Sequence, residues 1–178
     1  KYDFTEFEKV IGHNSYDVVI LDDVTEGAAQ TILQAKNLIN DDTPLMTMNS
    51  DQLVDWDVEK LFKMCEQFDG VIPCFYGEGN AWSYARTLDN GYVQEVAEKK
   101  QISNTATAGY YYWSKGSDFV KYAEQMIEDN SRTNGEFYVA PVYNWAVKDG
   151  KRVGVFMVDK CYSLGTPEDL QEYLNGQD

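Results

Sequence analysis

Apolar and polar positions alternate along the chain with two different periods. Short continuous apolar runs are typical of buried strands, whereas apolar residues three and four positions apart are typical of one helix face. Runs of the first kind predict strands at residues 16–21, 45–48, 70–75, 105–113 and 152–158. The helical spacing predicts helices at residues 27–39, 58–67, 117–128, 138–147 and 168–174.

Two short signals support individual elements of this pattern. The turn sequence DNG at residues 89–91, inside the segment 82–97, indicates a β-hairpin. Thr166 followed by Pro167 is a favourable helix start, with the threonine as N-cap and the proline at the first helical position. Both signals favour a protein built of well-defined strands and helices.

The order of these elements predicts the fold class. Alternating strands and helices are typical of an α/β protein, so we expect a three-layer αβα sandwich around a mixed, mostly parallel, Rossmann-like sheet. A chain of 178 residues is long enough to bury the core of one such domain. No internal repeat or linker divides it, and residues 1–178 are therefore interpreted as a single domain.

The segment PLMTMNSDQ, residues 44–52, carries the first candidate chemistry. Its apolar part is expected to be a central strand, and Asn49, Ser50 and Asp51 follow that strand directly. In an open α/β sheet, ligands bind just beyond the carboxyl ends of the strands. Asp51 is therefore a candidate to hold a divalent metal and, through it, phosphate oxygens. The alternative is that Asp51 caps the next turn, supported by Asn49 and Ser50.

The formal net charge of −15 argues against polyanionic partners. An acidic surface repels nucleic acid and anionic membranes, and the sequence has no cluster of lysine and arginine that would bind them. A small phosphorylated ligand is still compatible, because a metal ion and a few cations can reverse the field locally. No apolar run approaches the roughly 20 residues that span a bilayer.

The cysteines and the single histidine suggest no catalytic centre of their own. Cys65, Cys74 and Cys161 are odd in number and widely spaced, which favours free thiols over a disulfide framework or a zinc site. Free thiols suit a reducing compartment, so a cytoplasmic location is expected. His13 has no serine or cysteine at a catalytic spacing and is interpreted as a surface loop residue.

Two further segments have residues that suit a ligand. The sequence TEGAA, residues 25–29, opens a predicted helix, and its small residues would let a flat base or a phosphate approach the backbone. The alternative is that Gly27 and the alanines pack on the sheet. Glu98 and Lys99, at the end of the hairpin, could contact a sugar hydroxyl and a phosphate, although such pairs are usually solvated.

Taken in order, these segments resemble the sugar-1-phosphate nucleotidyltransferases, also called nucleotide-sugar pyrophosphorylases. The resemblance covers nearly the whole chain and implies the nucleotide-diphospho-sugar transferase fold. Each motif is weak alone, and the support comes from finding five of them in the family's order. The motifs are TEGAAQTI, MNSDQ, VAEKKQISNTATAGYYY, GEFYVAPVYN and GTPEDL.

The resemblance implies a role for each matching residue. Asp51 would be the catalytic residue that binds the cofactor Mg²⁺. The nucleotide would be bound by Thr25, Gly27 and Ala28. The sugar and its phosphate would be bound by Glu98, Lys99, Thr107, Gly109 and Glu136. In the implied reaction, an oxygen of a sugar-1-phosphate attacks the α-phosphorus of a nucleoside triphosphate and pyrophosphate leaves.

The sequence departs from the family pattern in three places. The family's glycine-rich loop, which cradles the triphosphate, has no counterpart here, so we expect the 178-residue chain alone to be inactive. Ser163 stands where many members have a second metal-binding aspartate. Ser83 and Tyr84 stand where a Tyr-Gly pair usually opens the hairpin, and this exchange is expected to reshape the sugar pocket.

Two other functions stay open at this point. One is a module that binds a nucleotide sugar or a partner protein without turnover. The other is a glycosyltransferase of the same fold, for which the nearest metal motif is DWD at residues 55–57. The sequence identifies neither the sugar, nor the base, nor the oligomeric state.

Overall fold

The computed structural model describes residues 16–176, so His13 lies outside the described residues. The helices are α1 (Ala28–Leu33), α2 (Lys36–Ile39), α3 (Val58–Cys65), α4 (Gly116–Glu128), α5 (Tyr143–Lys148) and α6 (Pro167–Asn175), with a 3₁₀ turn at Ala140–Val142. The strands are β1 (Leu45–Met48), β2 (Gln52–Asp55), β3 (Gly70–Tyr76), β4 (Ser83–Thr87), β5 (Val93–Glu98), β6 (Thr105–Thr107), β7 (Tyr110–Trp113), β8 (Val153–Met157) and β9 (Lys160–Ser163).

The main sheet is mostly antiparallel. Its strands lie in the order β1-β7-β3-β6-β4-β5, and β8 pairs with β3. The pair β3–β8 is parallel, whereas the other strand pairs of this sheet are antiparallel. The expectation of a mostly parallel sheet is therefore wrong. Strands β4 to β7 follow one another without an intervening helix, and a parallel pair needs a crossover of a dozen or more residues.

The first two strands of the prediction also differ from the structure. β1 lies at one end of the strand order and pairs with β7 alone among the described strands, so it is not central. Residues 16–21 form no strand, and their side chains are exposed. A strand needs a partner for its backbone N–H and C=O groups. No described strand supplies one to residues 17–21.

The hairpin and the helix cap that short sequence signals predicted are both present, unlike the predicted parallel pairing of the strands. The hairpin is formed by β4 and β5, with Gly91 at a φ of 83° in its turn. The Thr166 hydroxyl accepts a hydrogen bond from the backbone N–H of Asp169 at 3.1 Å and so caps α6. The predicted helix over residues 27–39 is instead two short helices, because Ala35 leaves the helical region with φ −90° and ψ 13°.

A second, two-stranded sheet was not predicted. β2 and β9 pair antiparallel, with Gln52 opposite Ser163. Each strand has only four residues and no continuous apolar run, so the hydrophobic pattern gives little signal for either. The pairing brings the segment after β1 to the segment before α6, and these two segments carry Asp51 and Ser163.

Aromatic residues dominate the larger of two apolar clusters. The ring of Trp113 stacks on the ring of Tyr143, with centroids 4.1 Å apart, and Tyr122 and Phe119 pack beside it. A smaller cluster contains Leu61 of α3. Within residues 16–176 no helix is long and apolar enough to cross a membrane.

The cysteines are free thiols, as expected. Cys65 and Cys74 are buried, and Cys161 is half-buried. Burial raises the pKa of Cys65 to about 11, so its thiol stays protonated at neutral pH. These residues therefore serve as small apolar side chains rather than as nucleophiles.

Candidate functional site

Gly27 begins α1 in direct contact with the segment that carries Glu136. The φ of Gly27 is 134°, and a Cβ at this position would lie 2.5 Å from the backbone nitrogen and oxygen of Phe137. Two hydrogen bonds close the junction: Phe137 N–H donates to the Glu26 carbonyl at 2.8 Å, and Ala29 N–H donates to the Phe137 carbonyl at 3.0 Å. The helix start and residue 136 therefore form one local structure.

The other predicted nucleotide residues belong to the same helix start. The Thr25 hydroxyl donates to the Gly27 carbonyl at 3.2 Å, which bends the chain into α1. Ala28 is exposed, whereas Ala29 is fully buried. Ala28 thus leaves an open surface beside Gly27, and Ala29 packs into the core.

Arg132 holds the turn before Glu136, and this residue was missed by sequence reasoning. Its guanidinium lies 4.0 Å from the centroid of the Phe137 ring. The same group donates to the Gly135 carbonyl at 2.9 Å and to the Glu26 carboxylate at 3.1 Å. Arginine is suited to such a site because its planar group can stack on a ring and donate several hydrogen bonds at once. No sequence motif marks these contacts.

Glu98 is partly buried at the end of β5. Its carboxylate accepts a hydrogen bond from the Ser83 hydroxyl on the neighbouring strand β4. Burial raises the pKa of Glu98, and the charge of Glu136 acts in the same direction. The Ser83 hydrogen bond and the charge of Lys99 lower that pKa in opposition. The charges of Glu98, Lys99 and Glu136 thus influence one another in the structure.

Lys99 adopts a backbone conformation that is uncommon for a residue with a side chain. Its φ is 52°, in the left-handed region. The ammonium donates to the Tyr138 hydroxyl at 2.8 Å, and this bond is the main cause that raises the pKa of Lys99. Non-glycine residues in this region often occur at functional sites, where the surroundings compensate for the strain.

Gly109 joins the Asp51 segment to the main sheet. Its φ is 76°, and a Cβ there would overlap the side-chain oxygen of Gln52. The N–H of Asn49 donates to the Gly109 carbonyl at 2.9 Å. Gly109 therefore allows the loop after β1 to approach β7 closely. Thr107, two residues earlier, is buried and lies 3.0 Å from the Tyr111 hydroxyl.

Asp51 is exposed and lies against the loop before α6. A Cβ at Gly165 would be 2.9 Å from its Oδ2 atom, and Leu164 N–H donates to its carbonyl at 2.8 Å. The Ser163 hydroxyl donates to the Asp169 carboxylate at 3.1 Å. In the described part of the chain no three acidic, histidine or cysteine side chains are grouped for a metal.

The predicted residues thus fall into two groups. One comprises the helix start, Glu98, Lys99 and Glu136, and the other comprises Asp51 with the loop around Gly165. Among the described residues no hydrogen bond or ion pair joins Asp51 to Glu98 or Lys99. Residues 107–109 lie between the groups: Thr107 bonds to Tyr111, which lies near Glu98, and the Gly109 carbonyl accepts from Asn49 N–H, close to Asp51 in the chain.

An open groove of about 560 Å³ adjoins the first group. Its lining includes Glu98, Lys99, Lys100, Asn134, Trp145 and Lys148. Neither Lys100 nor Lys148 is in an ion pair among the described residues, so both ammonium groups are available to an anion in this groove.

The motif DWD at residues 55–57 has a structural use. The Asp57 carboxylate accepts from the N–H of Lys60 at 3.1 Å and pairs with the Lys60 ammonium at 2.8 Å. It is therefore the N-cap of α3. This capping role accounts for Asp57 without any metal.

The family of the chain follows from comparison with known proteins. The sequence model of the nucleotidyl transferase family matches residues 2–176. The chain belongs to this family, and its fold is the α/β fold of nucleotidyltransferases. No curated protein matches the sequence.

Solved structures with the same fold include pyrophosphorylases of nucleotide sugars. A nucleoside-diphosphate-sugar pyrophosphorylase from Vibrio cholerae RC9 matches with a TM-score of 0.80 and 22% identity, over 96% of this chain and 74% of that one. A UDP-glucose pyrophosphorylase complexed with UDP-glucose matches with a TM-score of 0.69 and 18% identity. That match covers 85% of this chain, and the chain spans 62% of that protein.

Proposed function

We propose that the protein transfers a nucleotidyl group from a nucleoside triphosphate to a sugar-1-phosphate and releases pyrophosphate. The observation that carries this proposal is the meeting of Glu98, Lys99 and Glu136 beside the helix start at Gly27, in a chain of the nucleotidyl transferase family. This arrangement offers acceptors for sugar hydroxyls, a cation for phosphate and an open backbone for a base within one region.

Each side of the proposed site has a distinct task. Glu98 and Glu136 would accept hydrogen bonds from sugar hydroxyls. Lys99 would bind the sugar phosphate, and its bond to Tyr138 holds the ammonium in place until then. The surface at the exposed Ala28, beside the half-buried Thr25 and Gly27, would receive the base. Such positioning supplies much of the rate when both reactants are held in line.

Mg²⁺ is the cofactor we propose, with Asp51 as its ligand. Mg²⁺ commonly binds through one or two carboxylates, several waters and the phosphates of the substrate. A single exposed carboxylate beside Gly165, where no side chain fills the space, fits that mode. When bound, the ion would neutralise charge that develops on the phosphates.

The bond changes of the proposed reaction balance without a further reactant. A phosphate oxygen of the sugar-1-phosphate forms a bond to the α-phosphorus of the triphosphate. The bond from that phosphorus to the oxygen bridging to the β-phosphate breaks, and its electron pair leaves with pyrophosphate. Lys99 holds the attacking phosphate, and Glu98 keeps the sugar in one orientation.

Pyrophosphate release tests this proposal. The whole protein is assayed against a panel of triphosphates and sugar-1-phosphates, and Lys99→Ala is compared with Lys63→Ala, an exposed lysine of α3. Loss of a charged hydrogen bond should raise the KM for the sugar phosphate roughly 10- to 100-fold in Lys99→Ala only. A protein inert with every substrate pair would contradict the proposal.

A second function is favoured by one specific observation. Ser163 stands where the resemblance placed a second carboxylate, and its hydroxyl is engaged with Asp169. A site short of metal ligands suits a module that binds a nucleotide sugar or a partner without turnover. Binding of a nucleotide sugar by calorimetry, together with no release of pyrophosphate, would support this second function.

A further inference from the structure

Three hydroxyl groups lie behind Glu98, within the sheet. Ser83 is 8% exposed, Thr107 3% and Tyr111 5%, and they lie on three different strands. Buried hydroxyls without partners are costly, yet each of these three has one. Ser83 donates directly to the Glu98 carboxylate, and Thr107 and Tyr111 bond to each other beside it.

The Ser83 hydroxyl is the donor to Glu98, because an ionised carboxylate only accepts. The Thr107 and Tyr111 hydroxyls share a hydrogen bond of 3.0 Å, in which either can be the donor. Tyr111 lies close enough to Ser83 and Glu98 for both to influence its pKa. These two buried hydroxyls therefore lie beside the hydrogen bond from Ser83 to Glu98.

The charged groups near Glu98 do not hold its carboxylate in place. Lys99 is directed to Tyr138, and Glu136 repels Glu98. Within the described residues the hydrogen bond from Ser83 is thus the direct contact that fixes the carboxylate. The sequence marked Ser83 only as a departure from the family pattern, which has a tyrosine at this place, and the structure shows the hydrogen bond that this serine makes.

We propose that Ser83, with the Tyr111 and Thr107 hydroxyls beside it, is a positioning residue that presents an ionised Glu98 in one conformation to a hydroxyl group of the sugar. This inference rests on the proposed function for the identity of the ligand. It makes the site selective for sugar phosphates with a hydroxyl donor facing Glu98, because a deoxy sugar would leave the carboxylate without a partner. A group that acts as acceptor only would be rejected for the same reason.

Carboxyl titration by ¹³C NMR tests the positioning role without any turnover. Glu98 is titrated in the full chain and in Ser83→Ala, with Glu98→Gln to assign its signal. Loss of the hydrogen bond should raise the pKa of Glu98 by about one unit, because that bond favours the ionised form. Ser117→Ala, a partly exposed serine of α4, should leave it unchanged. If the pKa of Glu98 is the same in Ser83→Ala as in the parent protein, the proposal is overturned.

Two further variants guard against a merely structural effect. Tyr111→Phe keeps the ring and removes the second hydroxyl, so the pKa of Glu98 should rise by less than in Ser83→Ala. Ser83→Thr keeps a hydroxyl and should restore the original value. A rise of the same size in Ser83→Thr as in Ser83→Ala would indicate a packing change and contradict the proposal.

Ligand binding separates this proposal from the proposed function. Calorimetry compares Ser83→Ala with the parent protein. The variant should bind a matching nucleotide sugar about tenfold more weakly than the parent protein does. Both proteins should bind equally well the analogue that lacks the hydroxyl facing Glu98. If the pKa of Glu98 rises in Ser83→Ala but no nucleotide sugar binds, the role of the Ser83 hydrogen bond is supported and the proposed function is contradicted. If nucleotide sugars bind equally well to both proteins, Ser83 has no positioning role.

Discussion

Gly27 lies so close to Phe137 that any side chain at residue 27 would meet the Phe137 backbone, 2.5 Å from its nitrogen and its oxygen. Since the contacted atoms belong to the backbone, they cannot move aside as the end of a side chain would. The helix start and the Glu136 segment therefore depend on glycine at this position.

Gly27→Ala should lower the free energy of unfolding by about 2–4 kcal/mol, from the unfavourable φ together with the contact to Phe137. Gly79→Ala is the matched control, because Gly79 also has a positive φ of 93° but open space around its Cβ. Its cost should be near 1 kcal/mol. Chemical denaturation of the two variants measures the difference, and equal costs would show that the Phe137 contact is unimportant.

Mg²⁺ should bind weakly to this chain in the absence of nucleotide. One exposed carboxylate leaves most of the coordination to water and to substrate phosphates. An NMR titration with Mg²⁺ should therefore shift signals around Asp51 and Gly165 only at high concentration, and a nucleotide sugar should tighten binding. Asp51→Ala should abolish these shifts, whereas tight binding to that variant would place the metal elsewhere.

Asp51→Asn should reduce the activity of the whole protein roughly 10²–10³-fold, the usual cost of losing an electrostatic group that acts in the transition state. Asp55→Asn provides the control, since Asp55 lies four residues further along, on β2. Pyrophosphate release under saturating substrates distinguishes the two. Equal activity of Asp51→Asn and the parent protein would remove Asp51 from the site.

The stability of the protein should depend on pH through Glu98. Its pKa is raised above the ordinary value of 4.5, chiefly by burial, so the folded state binds its proton more tightly than the unfolded state. This contribution is fully present below pH 4.5 and is lost as the pH rises through the folded pKa. The side chain of Glu98→Gln cannot ionise, so this variant does not lose that contribution. As the pH increases, its free energy of unfolding should therefore rise relative to that of the parent protein.

Denaturation with guanidinium at several values between pH 4 and pH 7 measures this effect. Glu59→Gln, at an exposed position of α3, serves as the control and should follow the parent protein. If Glu98→Gln shows the same pH dependence as the parent protein, the burial of Glu98 has no influence on stability.

Tyr143→Phe should destabilise the core through one hydrogen bond. The Tyr143 hydroxyl donates to the Tyr112 carbonyl at 2.7 Å inside the protein, and its loss leaves that buried oxygen with one partner fewer. The expected cost is about 1–2 kcal/mol by thermal or chemical denaturation. Tyr162→Phe is the control, because its hydroxyl contacts Asp55 at 3.4 Å on the surface and should cost little. Similar losses in both would contradict the argument.

The sequence by itself determined the local structure and the family. The turn at residues 89–91, the cap at Thr166 and the buried run of β3 depend on neighbours in the chain, so their patterns are visible without the fold. The five motifs in order identified the nucleotidyltransferases for the same reason, since each is a short segment with its own composition. The motifs also assign Glu98, Lys99 and Glu136 to the sugar and its phosphate, and that assignment stays a prediction.

The tertiary structure decided the pairing of distant segments. The antiparallel sheet, the β2–β9 pair and the contact of Gly27 with Phe137 join residues far apart in sequence. These segments are paired largely by backbone hydrogen bonds, which every residue type except proline can both donate and accept. The residue types of a segment therefore say little about which distant segment it pairs with. Ser83 illustrates the same limit: its hydroxyl acquires a role only because β4 and β5 align it with Glu98.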